Sequence, residues 1–252
     1  MSDSQNPAPP TPPSDSPPPP PASPPPPAAP PPGGGAGSGG PRADGPRIPW
    51  EEREQRGFVG AFVDTVKLVV QQPAEAFGRI RADGDYVQPL LFGGLILLAV
   101  TLFNVLFSVL WGALFSSSSG LGAMAAAGGI GMMMGIVVII VAPVVIVIML
   151  FLMAGIFHGI LSLAGGLNSS QTGFEGSFKV VAYASVSGVL GIIPIVGSLL
   201  HLGAFGYLSY IGLPRAHRCT DQQALYALIP LAICGGCGVL AMIFNTISAI
   251  FL

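Results

Sequence analysis

The chain has 252 residues, of which 51% are hydrophobic and only 9% charged, with a formal net charge of −2. A soluble domain carries about 25% charged residues, and the shortfall is concentrated: no Asp, Glu, Lys or Arg occurs in the 89 residues between Asp85 and Glu175, the 35 residues Val180–Pro214 or the 31 after Asp221. Such runs exclude a soluble fold of this size and suit a bilayer, which one helix of ~20 apolar residues crosses; three cysteines exclude a disulfide framework.

Residues 1–49 hold 20 of the 26 prolines and the run Gly33–Gly35. Stretches such as Pro17–Pro21 favour an extended helix without internal hydrogen bonds, and there is little apolar surface to bury. A disordered cytosolic tail is expected, serving as a spacer or as a ligand for a proline-reading partner. No secretory signal is visible in it.

Residues 50–88 form a cytosolic, amphipathic region. Phe58, Phe62, Val66 and Val70 recur every four residues, with Val59, Val63 and Val69 beside them. This predicts one helix that lies in the membrane interface or packs on the ends of the spans. Pro73 ends it and opens a short second helix, Ala74–Arg81, with Phe77 and Ile80 on one side.

A five-span transmembrane bundle is expected over 89–252, an all-α fold. The first span is read as Pro89–Phe115, followed by an uncharged Ser/Gly loop, Ser116–Gly129. The second lies near Met132–Met153, kinked at Pro143, with the remainder to Ala164, His158 included, emerging at the cytosolic interface. A loop follows over Gly165–Phe178. Val180–Leu213 reads as two spans of ~17 residues, the lower limit, reversed in a hairpin turn at Pro194 and Gly197. The fifth span lies within Leu225–Leu252, with Pro230 near its start. All ten Lys and Arg and all twelve acids fall in 1–88, 165–179 and 214–224. The positive-inside rule therefore puts the N-terminus in the cytosol and the C-terminus outside.

Three segments in this order resemble the Yip1 family, and its bacterial branch in particular. They are VQQPAEAFGRIRADGDYVQPLLFG at Val70–Gly93; His158 with Gly165–Gly166, the following loop and Lys179–Tyr183; and IIPIVGS at Ile192–Ser198 with IGLPRAH at Ile211–His217. The resemblance implies an integral protein of the bacterial plasma membrane. Eukaryotic relatives are implicated in vesicle trafficking, Rab-type GTPase contact and membrane shaping. Their DLYGP-like motif has no match here, the nearest counterpart being the loop at Phe174–Phe178, so GTPase binding is not carried over.

Sites of chemistry are sparse. Cys234-Gly-Gly-Cys237 has a redox or metal spacing but sits inside an apolar span, where cysteine packs as a small hydrophobe and Gly235 and Gly236 permit close helix approach. His158, His217 and Cys219 share one membrane side yet offer no firm fourth ligand. Ser187 and His201 suggest a serine–histidine pair without an acid or oxyanion site. Gly131-x-x-x-Gly135 and Gly155-x-x-x-Gly159 fit helix packing within the bundle or in a homo-oligomer. No catalytic residue, cofactor, metal or nucleic-acid partner is expected. The expected role is a non-enzymatic scaffold or membrane-organising adaptor whose partners are the bilayer and a protein met through the tail. A transporter or channel for a small neutral solute is the alternative.

Overall fold

The computed structural model describes residues 45–115, 121–193 and 196–251, the side chains of 111–132, of 134 and of most positions beyond 238 excepted. The proline-rich tail to residue 44 and Pro194 lie outside the described residues. Every described element is helical. A 3-10 turn, Pro49–Glu52, leads into the one-turn α1 (Arg53–Arg56), then α2 (Phe58–Gln71) and α3 (Pro73–Gly78). The long helices are α4 (Val87–Phe115) and α5 (Leu121–Leu163). Then come α6 (Gly173–Ala184), a 3-10 run at Ser185–Ile192, α7 (Gly197–His217) and α8 (Asp221–Phe251).

Within α4 and α5, Val87–Leu110 and Gly135–Leu163 are long and apolar enough to cross a membrane. Their side chains are not those of core helices: Leu106 is 68% exposed and Ile140 70%. Such faces need a hydrocarbon solvent.

Three expectations are corrected. The segment read as a loop up to Gly129 is helical from Leu121, so α5 is one helix of 43 residues, ~65 Å long. Ala125–Ala127 supply the best helix former and outweigh the glycines around them. The loop predicted to Phe178 closes at Gly173, which takes φ +54. Phe174–Phe178 is helix, and Lys179, expected on a cytosolic loop, is fully buried on α6.

The 12 α-helical residues of α6 and the eight 3-10 residues after it together rise ~34 Å, because a 3-10 turn gains ~2.0 Å per residue against 1.5. The change of pitch coincides with Ser185 and Ser187, whose hydroxyls donate to the carbonyls of Val181 (2.9 Å) and Ala184 (2.8 Å). Such back-bonding competes with the α-helical ladder. Residues 175–188 are all buried, enclosed by α4, α5 and α7; this element is the centre of the bundle.

The N-terminal segment docks on that centre. Ile48 and Trp50 are buried, so packing begins before the predicted boundary at residue 50. On α2 the buried line is Ala61, Thr65 and Val69, with Phe62 and Val66 half-buried beside it. Phe58, Val59, Val63 and Val70 stay exposed, so the helix both packs and presents apolar side chains outward. Thr65 Oγ1 accepts from the Trp50 N–H at 2.8 Å, and the Trp50 indole donates to the Gln88 carbonyl at 2.7 Å. These bonds tie the 3-10 turn to α2 and α4.

Gly197 begins α7 and is buried. A Cβ there would lie 2.5 Å from the Leu190 carbonyl oxygen. The reversal thus needs glycine for space against the preceding 3-10 run. Gly235 faces α7, where a Cβ would come within 2.3 Å of Leu202 Cδ2, and Gly135 faces Val105 of α4 at 3.1 Å. Gly155, Gly159 and Gly236 have open space instead, and the surroundings of Gly131 lie outside the described residues. Cys234 and Cys237 are exposed: the helix turns Gly235 inward and both thiols outward, contrary to the expected burial.

Candidate functional site

The periodicity of α6 sorts its polar residues onto two sides. Glu175, Lys179 and Tyr183 are spaced by four and share one face. Ser177 lies ~200° around from Glu175 at 100° per residue. Each face carries a buried network.

On the first face, Lys179 Nζ is 2.6 Å from Asp83 Oδ1, 2.9 Å from Glu175 Oε1 and 3.7 Å from Glu51 Oε1. It also donates to the Arg81 carbonyl at 2.8 Å. Glu175 accepts the backbone N–H groups of Asp83 (3.2 Å) and Gly84 (2.9 Å). The turn that offers these donors needs Gly84, at φ +77, because a side chain there is strained. Tyr183 donates its phenol to Glu51 Oε1 at 2.9 Å, and Arg47 lies 3.6 Å from Asp83 Oδ2. Three segments distant in sequence, around residues 51, 83 and 175–183, thus converge on one ammonium.

The electrostatics divide the carboxylates. Burial would raise Asp83, but the hydrogen bond and charge of Lys179 outweigh it and hold the group below the usual carboxylate range. Burial dominates at Glu51 and raises it despite Lys179 and Tyr183. Its Oε2 is buried without a hydrogen-bond partner. Burial alone would lower Lys179, and the surrounding carboxylates reverse the sign and raise it. The cluster therefore holds a committed ion pair, Lys179–Asp83, beside a carboxyl that takes a proton readily.

On the second face, Ser177 Oγ lies 2.8 Å from His217 Nε2 and 3.2 Å from His158 Nδ1. His217 Nδ1 meets Ser170 Oγ at 2.8 Å and Thr172 Oγ1 at 3.3 Å. Thr172 also donates to the Ala216 carbonyl at 2.8 Å. The two rings are 6.0 Å apart. The structure thus joins His158 and His217, as their shared membrane side suggested, through a serine hydroxyl. Cys219 is half-buried, and burial pushes its thiol up to about 11. Among the described residues no group of three His, Cys, Asp or Glu is arranged to hold a metal ion. Ser177→Ala leaves two ring nitrogens in a buried place without their shared partner. A loss of about 1–3 kcal/mol is expected, read as a lowered thermal midpoint in detergent, with an unchanged midpoint counting against the network.

Ser187 and His201 also meet, Oγ to Nδ1 at 3.0 Å. The serine hydroxyl is committed to the Ala184 carbonyl, and nearby Ser185 and His201 line a cavity of about 200 Å³ with Leu97, Met149 and Phe205. The residues that line this cavity include no carboxylate, so the pair lacks the orienting acid of a triad there.

Sequence reasoning missed the ion cluster. Its signal was present: Glu175 and Lys179 at i, i+4 on a helix, with the lone lysine directly before 35 uncharged residues. Reading that stretch as loop hid the spacing.

No match was found among curated proteins or among solved structures. The family model of the Yip1 domain matches residues 67–242, a stretch that runs from α2 into α8 and contains both networks apart from Glu51, Arg47 and their turn. By that match the chain belongs to the Yip1 family.

Proposed function

We propose that the protein is a five-span, non-enzymatic membrane scaffold that seats its N-terminal segment rigidly at the cytosolic face of the bundle. The observation that carries this reading is the convergence of Glu51, Asp83 and Glu175 on the buried Lys179. These polar groups face one another and hold the N-terminal segment on the central helix. Such a seat suits an adaptor that displays a proline-rich arm to a cytosolic partner. The spans are α4, α5, the α6 element from Val180 onward, α7 to Leu213, and α8, in the plasma membrane of a bacterium. Crosslinking from the tail followed by mass spectrometry tests the role. Recovery of a defined cytosolic protein whose capture falls when residues 1–44 are deleted is the expected result, and tail-independent capture would argue against it.

Confinement of the basic residues to alternate segments supports a cytosolic N-terminus and an external C-terminus. An alkaline phosphatase fusion at the C-terminus should be active and one after Asp221 inactive; the opposite pattern overturns the five-span reading. The cavity beside His201 favours a second reading, passage of a small neutral solute. Flux into liposomes from a panel of such solutes, lost on filling the cavity by Ser185→Leu, would support it over scaffolding.

A further inference from the structure

An apolar groove of about 380 Å³ opens between α4 and α5 on the side where the N-terminal segment docks. Leu91, Leu95 and Leu98 line one wall at helical spacing, and Pro143, Ile146 and Val147 the other. Leu91, Leu95 and Val147 are also exposed on the outer faces of these helices, so the groove is continuous with the surfaces that need hydrocarbon around them. Trp50 and Arg53 also line it, and the bond from the Trp50 indole to the Gln88 carbonyl puts them at the end nearest the start of α4. The Arg53 guanidinium stands 4.9 Å over the Trp50 ring, and its Nη1 is buried without a hydrogen-bond partner. The neighbouring acids leave it available: Glu52 pairs with Arg56 at 2.9 Å, Glu51 belongs to the Lys179 cluster, and Glu54 is exposed to solvent.

One end is thus a cation with a donor to spare, and the rest is hydrocarbon. That is the complement of an amphiphile with an anionic head. A soluble anion makes no use of the apolar walls, and a neutral lipid makes none of Arg53. A helix from a second copy does not fit. An α-helix is ~10 Å across, so the ~10 Å length from Leu91 to Leu98 would need roughly 800 Å³. We propose that the groove is a binding site for a membrane glycerophospholipid. One acyl chain lies between α4 and α5, and the phosphodiester takes charge-assisted hydrogen bonds from Arg53.

Gly94 provides a clean test. It lines the groove, and a Cβ there would meet nothing within 4 Å, so Gly94→Leu fills the groove without displacing protein. Full-length protein in detergent is stripped of lipid and titrated by native mass spectrometry. The probes are phosphatidylglycerol, diacylglycerol with the same acyl chains, and inorganic phosphate. The expected result is saturable retention of one phosphatidylglycerol, with diacylglycerol and phosphate each bound at least tenfold more weakly. Arg53→Gln should weaken phosphatidylglycerol roughly tenfold and erase its advantage over diacylglycerol. Gly94→Leu should weaken both lipids while leaving the thermal midpoint of the delipidated protein unchanged. Equal binding of the two lipids, indifference to both substitutions, or a change of oligomeric state in Gly94→Leu without loss of lipid would each overturn the proposal. The inference rests on α4 and α5 crossing the bilayer. The fusion experiment tests that separately, so failure of the lipid titration with the expected fusion pattern removes this site alone.

Discussion

Lys179→Met should destabilise the protein by about 3–5 kcal/mol at neutral pH, the cost of removing one partner from a buried ion pair. In detergent this reads as a large fall in thermal midpoint or loss of monodisperse protein. Methionine keeps much of the stem volume, so the loss is one of charge. Glu51 and Glu175, 3% and 8% exposed, would then face each other and Asp83 without their shared cation. The pH dependence separates this from a packing defect. In the native protein Asp83 is held below its ordinary value. Its contribution is therefore present above pH ~4 and is lost as pH falls through the depressed value. Lys179 is raised, so its contribution persists below its ordinary pKa and is lost only in strong alkali, as pH rises through the raised value. In Lys179→Met, Glu51 keeps its burial and loses the charge that opposed it, so it rises further above its ordinary value, and Asp83 loses the partner that held it down. Protonation then favours the folded state, and the variant gains stability as pH falls from 7 toward 5. The gap to the native protein should narrow over that interval. A gap that stays constant with pH would mean the lysine acts through its stem and not its charge.

Glu51 behaves differently within the same cluster. Burial raises it in the native protein, so its neutral form is favoured, and its contribution is present at low pH and declines as pH rises through the raised value. Glu51→Gln keeps an acceptor for the Tyr183 phenol and removes the burden of a desolvated charge. It should therefore cost far less than Lys179→Met, despite belonging to the same network. A thermal midpoint within a few degrees of the native value at pH 7 is expected, and a collapse matching Lys179→Met would assign Glu51 the main counter-charge.

Much of the architecture is legible in the chain because the absence of charge over long stretches is a strong constraint. The apolar runs place helical segments near α4, within α5, on either side of residues 193–197 and in α8, and each has its counterpart. Even so, the alanine-rich start of α5 and the first turn of α6 read as loops. Glycine and serine signal loops only when stronger helix formers do not flank them, and at Ala125–Ala127 they do. The polar centre is illegible for a different reason. A lysine beside a membrane span is ordinarily a solvated flank obeying the positive-inside rule. Its burial depends on Glu51 and Asp83, over 90 residues away in the chain, and no local pattern encodes that meeting. The pair Ser187 and His201 can be guessed from residue type, whereas the bridge from Ser177 to two histidines requires knowing that α6 runs between α5 and α7.

Glycines expose the same limit, and Gly93→Leu should be among the most damaging substitutions in the bundle. A Cβ at residue 93 would lie 2.8 Å from the Ala182 carbonyl oxygen and 3.2 Å from its Cα. The obstacle is the backbone of a buried helix, which has no rotamer to change. Even alanine forces α4 away from α6, at about 1–3 kcal/mol for overpacking, and leucine exceeds that. Ala182 is flanked on α6 by Lys179 and Tyr183, so the displacement also strains the ion cluster and the Tyr183–Glu51 bond. Gly235→Leu meets the far end of the Leu202 side chain at 2.3 Å, an obstacle that can rotate, and should cost less. Gly155 and Gly159 have nothing within 4 Å, and leucine at either should leave the monomer's stability unchanged although the small-xxx-small spacing is the more conspicuous sequence signal. The ranking is checked by melting detergent-solubilised variants on one size-exclusion assay. Gly93→Leu is expected to lose most of its folded peak, Gly235→Leu to shift by several degrees and Gly155→Leu to match the native protein. If Gly155→Leu instead keeps its midpoint but changes elution volume, that open stripe is a contact between copies of the chain. If Gly93→Leu melts with the native protein, α4 and α6 do not meet backbone to backbone, and the central place of α6 falls with it.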